Sequence, residues 1–214
     1  MGMLAVAAKR FVRSLAVISD EELIAEVLGG RTAAFAELAS RYRDKVDRLC
    51  QRFFADREMV RDLAQESFIR AFAALSTFRA EMPFAGWLRA IVVNVCYDEL
   101  RRKQRRPEEL VADFSGPERT WAQLVNEATP EAIVQAAEER REANDLAHRL
   151  LETLRPEDRT VMILKETEDL SVSEIAKIMG WSEAKVKIRA FRARQAMRRQ
   201  AERIFAARRS QAVR

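Results

Sequence analysis

Residues 171–182 read Ser-Val-Ser-Glu-Ile-Ala-Lys-Ile-Met-Gly-Trp-Ser, and this run decides the fold of the C-terminal third. Ser171 or Ser173 can cap a short helix by accepting from the free N–H groups of its first turn. Ile175, Ala176 and Met179 recur at helical spacing and face inward. Gly180 supplies the left-handed residue that reverses the chain, and Ser182 caps the next helix. Helix, glycine turn and capped helix make a helix-turn-helix. In the second helix Val186, Ala190, Ala193 and Met197 form the stripe that packs on a core. Ala184, Lys187, Ile188, Phe191, Arg192 and Gln195 lie on the opposite face.

That second helix is basic. From Lys177 to Arg214 there are twelve Lys/Arg against two Glu, whereas 107–145 holds ten Asp/Glu against three Arg. A net charge of +5 hides this sorting. It points to a polyanion-binding module beside a segment that repels polyanions. A recognition helix enters the major groove by its N-terminal residues. Ser182, Lys185, Lys187, Ile188, Phe191, Arg192 and Gln195 are therefore the candidate DNA contacts. Lys187 and Arg192 can donate to guanine edges or phosphates, and Ile188 and Phe191 can meet thymine methyl groups. The alternative for Ile188 and Phe191 is extra core, which needs a second packing partner. Arg189, Arg194, Arg198 and Arg199 are candidate phosphate contacts.

The rest of the chain reads as helices. It is rich in Ala, Leu, Glu and Arg, with only 6 Gly and 5 Pro, a mix that favours an all-α protein. Ser19 to Glu22 reads as a capping box, opening a helix that Gly29-Gly30 stops. A second helix starts near Thr32 and carries Phe35, Leu38, Tyr42, Val46, Leu49 and Phe53. A third opens at Asp56 and buries Val60, Ala64, Phe68, Ala71, Phe72 and Leu75. A loop from Ser76 to Ala85 holds Phe78, Pro83 and Phe84. A fourth helix starts near Gly86-Trp87 and runs to Arg106, where Pro107 ends it. The segment 107–145 has three of the five prolines and reads as a linker, with a helix from Glu131 leading into the second module.

Several function classes are excluded at this stage. Cys50 and Cys96 lack metal-type spacing and His148 is the only histidine, so we expect buried structural thiols and no metal or cofactor. No nucleophile–base pair, phosphate loop or carboxylate pair argues for catalysis, and no small-molecule substrate is expected. No apolar run reaches the roughly 18 residues of a membrane span. Residues 1–18 make a poor signal peptide, interrupted by Lys9, Arg10 and Arg13. The expectation is a cytoplasmic protein without membrane insertion.

Asp62-Leu63-Ala64-Gln65-Glu66-Ser67-Phe68-Ile69-Arg70-Ala71-Phe72 is followed by Phe78-Arg79, by Phe84 to Asn94, and by Asp98-Glu99-Leu100-Arg101-Arg102. This order closely resembles region 2 of bacterial sigma factors of the extracytoplasmic-function (ECF) group, in the sigma-70 family. Leu154-Arg155-Pro156, Ser173 to Ala176 and Val186 to Arg194 resemble region 4 of the same group. The resemblance covers about Glu21–Arg106 and Ala147–Arg199.

It implies a region 2 helical bundle (19–106) and a region 4 helix-turn-helix (146–203). An arm (1–18) precedes them, an acidic linker (107–145) joins them and a basic tail (204–214) follows. By resemblance, Asp62, Gln65, Glu66 and Ile69, on the side of the third helix away from Phe68 and Phe72, dock on the β′ clamp helices of core RNA polymerase. Region 4 touches the β flap. The resemblance assigns Phe78, Phe84, Trp87, Asn94, Asp98, Arg101, Arg102 and Arg105 to the minus-10 element, while the residues by themselves favour plain core for Phe84 and Trp87. The loop and Asn94 would capture a flipped base, and the arginines would hold the backbone. The residues from Ser182 to Gln195 take the minus-35 element. Many members of the group carry Gly-Thr where Ala184-Lys185 stand here, which implies a changed contact at the N-terminus of the recognition helix and a different promoter sequence. The expected partners are core polymerase, promoter DNA and an anti-sigma factor, and the expected role is initiation of a stress- or envelope-responsive gene set. A stand-alone helix-turn-helix regulator is the alternative, but it needs neither the aromatic loop nor the acidic docking face.

Overall fold

The computed structural model describes residues 18–105 and 143–212, with backbone only at 205 and 207–212. The expected helix start at Glu131, the stop at Pro107 and most of the N-terminal arm lie outside the described residues. All regular elements among the described residues are helical.

The N-terminal module is built from α1 (Asp20–Leu28), α2 (Ala34–Phe53), α3 (Arg57–Ala74), a 3-10 turn (Leu75–Thr77) and α4 (Phe84–Arg105). Ser19 caps α1 through a capping box: Ser19 Oγ accepts from the Glu22 N–H, and the Glu22 carboxylate accepts from the Ser19 N–H. Such a cap stabilises a helix by about 1 kcal/mol. Asp56 caps α3 by accepting from the N–H groups of Glu58 and Met59. Tyr42 donates its hydroxyl to Asp20, and Arg41 bonds Asp20 and the Ile18 carbonyl, tying α1 to α2. Burial and that carboxylate push the Tyr42 hydroxyl up to about 12. α4 begins two residues before the expected Gly86, because the Pro83 carbonyl already accepts from the N–H groups of Gly86 and Trp87.

The C-terminal module follows with α5 (143–152), α6 (Pro156–Glu166), α7 (Val172–Met179) and α8 (Glu183–Ala212). Ser171, not Ser173, is the N-cap of α7 and pairs reciprocally with Glu174. Those bonds from Ser171 hold the Glu174 carboxyl below the usual carboxylate range. Gly180 sits at φ 62°. Its N–H reaches the Lys177 carbonyl and the Trp181 N–H reaches Ala176, the paired bonds of a left-handed helix stop. Val186, Ala190 and Ala193 are buried and Met197 packs beside them, as the four-three-four spacing requires. α8 runs nine residues past the expected end at Arg203, consuming most of the basic tail.

The two modules are packed together. α6 and α7 lie against α4, and α6 also meets α2. Phe53, Phe54, Val93 and Cys96 of one module share a continuous buried cluster with Val161, Leu164 and Ile175 of the other. The thiols of Cys50 and Cys96 lie 3.9 Å apart, both fully buried. The bond to Cys50 and burial raise the Cys96 thiol well above its ordinary value. They are inert packing groups, as the spacing implied.

Candidate polymerase and promoter interface

Three surfaces collect the residues singled out from the sequence. The first is a groove between α2 and α3, about 830 Å³, lined by Phe35, Phe54, Val60, Phe68, Ile69 and Phe72, with Arg43, Arg57 and Arg61 also on its wall. Gln65 lines it too. Phe72 was expected in the core but is 43% exposed, stacked edge-on against Phe35 at 5.1 Å. Ile69 is 55% exposed. Helical spacing alone cannot separate a buried stripe from an apolar groove wall: Phe35 is buried and Phe68 packs on the core as expected, while Phe72 stands at the groove.

Asp62, Gln65, Glu66 and Ile69, at i, i+3, i+4 and i+7 along α3, share one strip of the helix surface. Gln65 and Ile69 face the groove, while Asp62 and Glu66 are absent from its lining. Glu66 accepts from Arg70 at 2.7 Å, and Arg70 also reaches Asp98 of α4 at 3.3 Å. Two acidic groups expected to meet different partners thus share one arginine.

The second surface is α4 with the loop before it. Asn94, Asp98 and Arg101 are all exposed on one face, and Asp98, Arg101, Arg102 and Arg105 line a shallow depression of about 600 Å³. Arg102 is held by Glu99 through bonds of 2.7 and 2.9 Å. Phe84 is 4% exposed and sits among Tyr42, Phe78 and Trp87 at centroid distances of 5.2, 5.8 and 5.6 Å. Its ring has no face left for a base, which corrects its place among the candidate base contacts: as the first residue of α4 it anchors the loop to the core. Phe78 and Trp87 are half-buried and pack edge-on at 5.6 Å.

The third surface is the start of α8. Ser182 accepts from the Lys185 N–H at 3.3 Å. Lys185, Lys187, Ile188, Phe191, Arg192 and Gln195 are exposed. Ile188 is 52% and Phe191 63% exposed, so neither is extra core. Lys187 pairs loosely with Glu183 at 3.9 Å. Arg189 behaves differently from the phosphate contact expected of it: it is half-buried and bonds Asp158 of α6 at 3.2 Å. Arg194 likewise pairs with Glu166 at 2.8 Å.

Sequence reasoning missed one set entirely. Arg159 of α6 is 7% exposed and donates to the Phe53 carbonyl at the end of α2. Its guanidinium lies 5.8 Å from the Phe54 ring centre, and burial lowers its pKa to about 10. Tyr97 of α4 meets Trp181 edge-on at 6.1 Å. No spacing rule marks such residues, because each is amphipathic and equally at home on a surface.

Among the described residues no cluster of His, Cys, Asp and Glu could hold a metal ion, and no helix is long and apolar enough to cross a membrane. What the three surfaces offer is polar, cationic and apolar contact over broad areas.

Comparison with known proteins shows the family. The family description Sigma-70 region 2 matches residues 38–106, and Sigma-70, region 4 matches residues 144–197. The ECF RNA polymerase sigma-E factor of Haemophilus influenzae is 36% identical, over 83% of this chain and 93% of its own. The ECF RNA polymerase sigma factor SigW of Bacillus subtilis is 34% identical, over 83% and 94%. Among solved structures, CnrH in complex with the cytosolic domain of CnrY superposes with a TM-score of 0.54 at 23% identity, covering 86% of this chain and 97% of that one. The sigma factor RpoE of Bartonella quintana, solved with the anti-sigma factor NepR, gives 0.52 at 18%, covering 78% and 96%. The chain belongs to the extracytoplasmic-function group of the sigma-70 family of RNA polymerase sigma factors.

Proposed function

We propose that this sigma factor, which directs transcription initiation, divides the work among its three surfaces. The groove between α2 and α3 docks on core polymerase, α4 and its loop hold the melted minus-10 element, and the start of α8 reads the minus-35 element. The carrying observation is the groove itself. Ile69 and Phe72 stand exposed side by side on α3, an apolar pair beside three arginines. Exposed apolar pairs of this kind anchor protein interfaces. The β′ clamp helices are the partner we assign to the groove, with Asp62 and Glu66 at its rim steering the encounter.

On α4, Asn94 offers an amide to an unstacked base, and Arg101 and Arg105 hold the neighbouring phosphates. On α8, Arg192 and Lys187 address base edges while Ile188 and Phe191 contact thymine methyls. We assign region 4 a second contact with the β flap. The chain acts in the cytoplasm, as a binding protein and not an enzyme. An anti-sigma factor controls it, in line with the solved sigma factor RpoE of Bartonella quintana, which carries the anti-sigma factor NepR. Its target genes respond to stress or to the cell envelope.

The test is competition for core polymerase. Ile69→Glu in the full chain should lower core affinity tenfold or more, on the order of the 1.4 kcal/mol that a factor of ten represents. Unchanged affinity would remove the groove as the docking face. A stand-alone regulator would bind no core at all.

A further inference from the structure

Among the described helices, α1, α7 and α8 are capped by a serine: Ser19, Ser171 and Ser182. In α1 and α7 the residue three places on is a glutamate, Glu22 or Glu174, whose carboxylate accepts from the serine N–H and closes a capping box. In α8 that place holds Lys185. An ammonium has no acceptor to return to the cap, and it lies at the helix end where the dipole disfavours a positive charge. For the stability of α8 alone, lysine there is unfavourable. Its neighbour Lys187 pairs loosely with Glu183 at 3.9 Å. Lys185 instead has its Nζ over the face of Trp181, 4.1 Å from the ring centre.

Trp181 is itself fixed in place. Its N–H donates to the Ala176 carbonyl at 2.9 Å, one of the bonds that close the Gly180 turn. Its ring is half-buried, packs on the core and meets Tyr97 edge-on at 6.1 Å. The indole is thus a rigid platform at the mouth of the recognition helix. A lysine stem has many rotamers, and ordering it on DNA costs entropy. Held on the indole, Lys185 has lost part of that freedom before DNA arrives. One side of the ammonium rests on the ring. Lys185 is otherwise exposed, so its remaining donors point outward.

We infer that Trp181 is a positioning residue for promoter reading: it holds the Lys185 ammonium at the start of α8, so that Lys185 meets the O6 and N7 acceptors of one guanine in the minus-35 element. This rests on the reading of that element by α8. Trp181 acts through Lys185 and needs no contact of its own with a base. A cation held on an exposed ring corresponds to about a two- to fivefold change in binding. The rival role for Trp181 is packing against the core and Tyr97, which would affect all DNA sequences alike.

The experiment uses the full chain reconstituted with core polymerase on a random-sequence duplex library, with bound fragments sequenced. Lys185→Met, Trp181→Leu, Trp181→Phe and the double variant Lys185→Met/Trp181→Leu are compared with wild type, each checked for its helical circular-dichroism signal. The wild type should enrich an upstream element with guanine at one fixed position. Lys185→Met should lose the preference at that position and keep the others. Trp181→Leu should relax the same position by about two- to fivefold. Trp181→Phe, which keeps an aromatic face, should fall between. The double variant should bind like Lys185→Met alone, because the two residues act as one unit. Should Trp181→Leu fail to fold, Trp181→Phe and Lys185→Met carry the test. A Trp181→Leu loss spread evenly over all positions, or one that adds in full to the Lys185→Met loss, would overturn the inference. A Lys185→Met loss independent of sequence would make Lys185 a phosphate contact and overturn it too. A wild type that enriches a downstream element but no upstream one defeats the minus-35 reading itself. An upstream preference that none of the substitutions moves overturns the role of Trp181 alone.

Discussion

Two glycines test the backbone account with opposite signs. A Cβ placed on Gly180 or on Gly86 would meet nothing within 4 Å, so packing drops out of both substitutions. Gly180 holds φ 62°, where an L side chain costs roughly 1–2 kcal/mol. Gly86 is the third residue of α4 with no positive φ, and alanine there should gain about 0.4–1 kcal/mol by restricting the unfolded chain. A module of 60–100 residues shifts its midpoint by about 4–8 °C per kcal/mol. Gly180→Ala should therefore melt several degrees lower, and Gly86→Ala a few degrees higher, by circular dichroism at 222 nm. Equal shifts of the same sign, or a Gly180→Ala protein as stable as wild type, would refute the assignment of the turn.

Acid should weaken the packed form through His148. Burial, with Arg159 and Arg52 nearby, lowers its pKa from 6.5, while Asp145 opposes them. The folded state binds fewer protons than the unfolded state once pH falls below about 6.5, so stability declines with falling pH there; His148→Gln should flatten that slope in thermal melts. Arg192→Ala should weaken binding selectively at the minus-35 sequence, by roughly 1–3 kcal/mol, measured by fluorescence anisotropy on matched and scrambled duplexes. A uniform loss would make Arg192 a phosphate contact. Val186→Ala, at a fully buried site on α8, should cost on the order of 1–3 kcal/mol in urea unfolding; a neutral result would contradict the packing of α8.

Local chemistry carried most of the fold into the sequence. The Ser171–Glu174 capping box, the Gly180 turn and the Val186/Ala190/Ala193 stripe were legible because each depends on neighbours within a few residues. Aromatics were harder. Phe84, placed at the minus-10 DNA by resemblance but with core as the competing reading, lies in the core, while Phe72 was expected in the core and lies in a groove. A ring at helical spacing carries no label for the partner it meets. The docking of the modules was invisible for a different reason. Arg159 and Phe53 are 106 residues apart, and what joins them is a backbone carbonyl that no side-chain pattern announces. Arg189 looked like one more basic residue, and only the buried approach of Asp158 revealed its structural use.

The central claim is that the chain gives core polymerase a promoter to open. The most direct test is reconstitution of purified chain with core enzyme on a library of genomic promoter fragments, with open complexes detected by permanganate reactivity and transcripts by sequencing. The account predicts transcripts whose start sites share a minus-35 and a minus-10 element, with melted thymines at the latter only when both chain and core are present. Transcription that is absent on every fragment, although the chain binds duplex DNA alone, would contradict it.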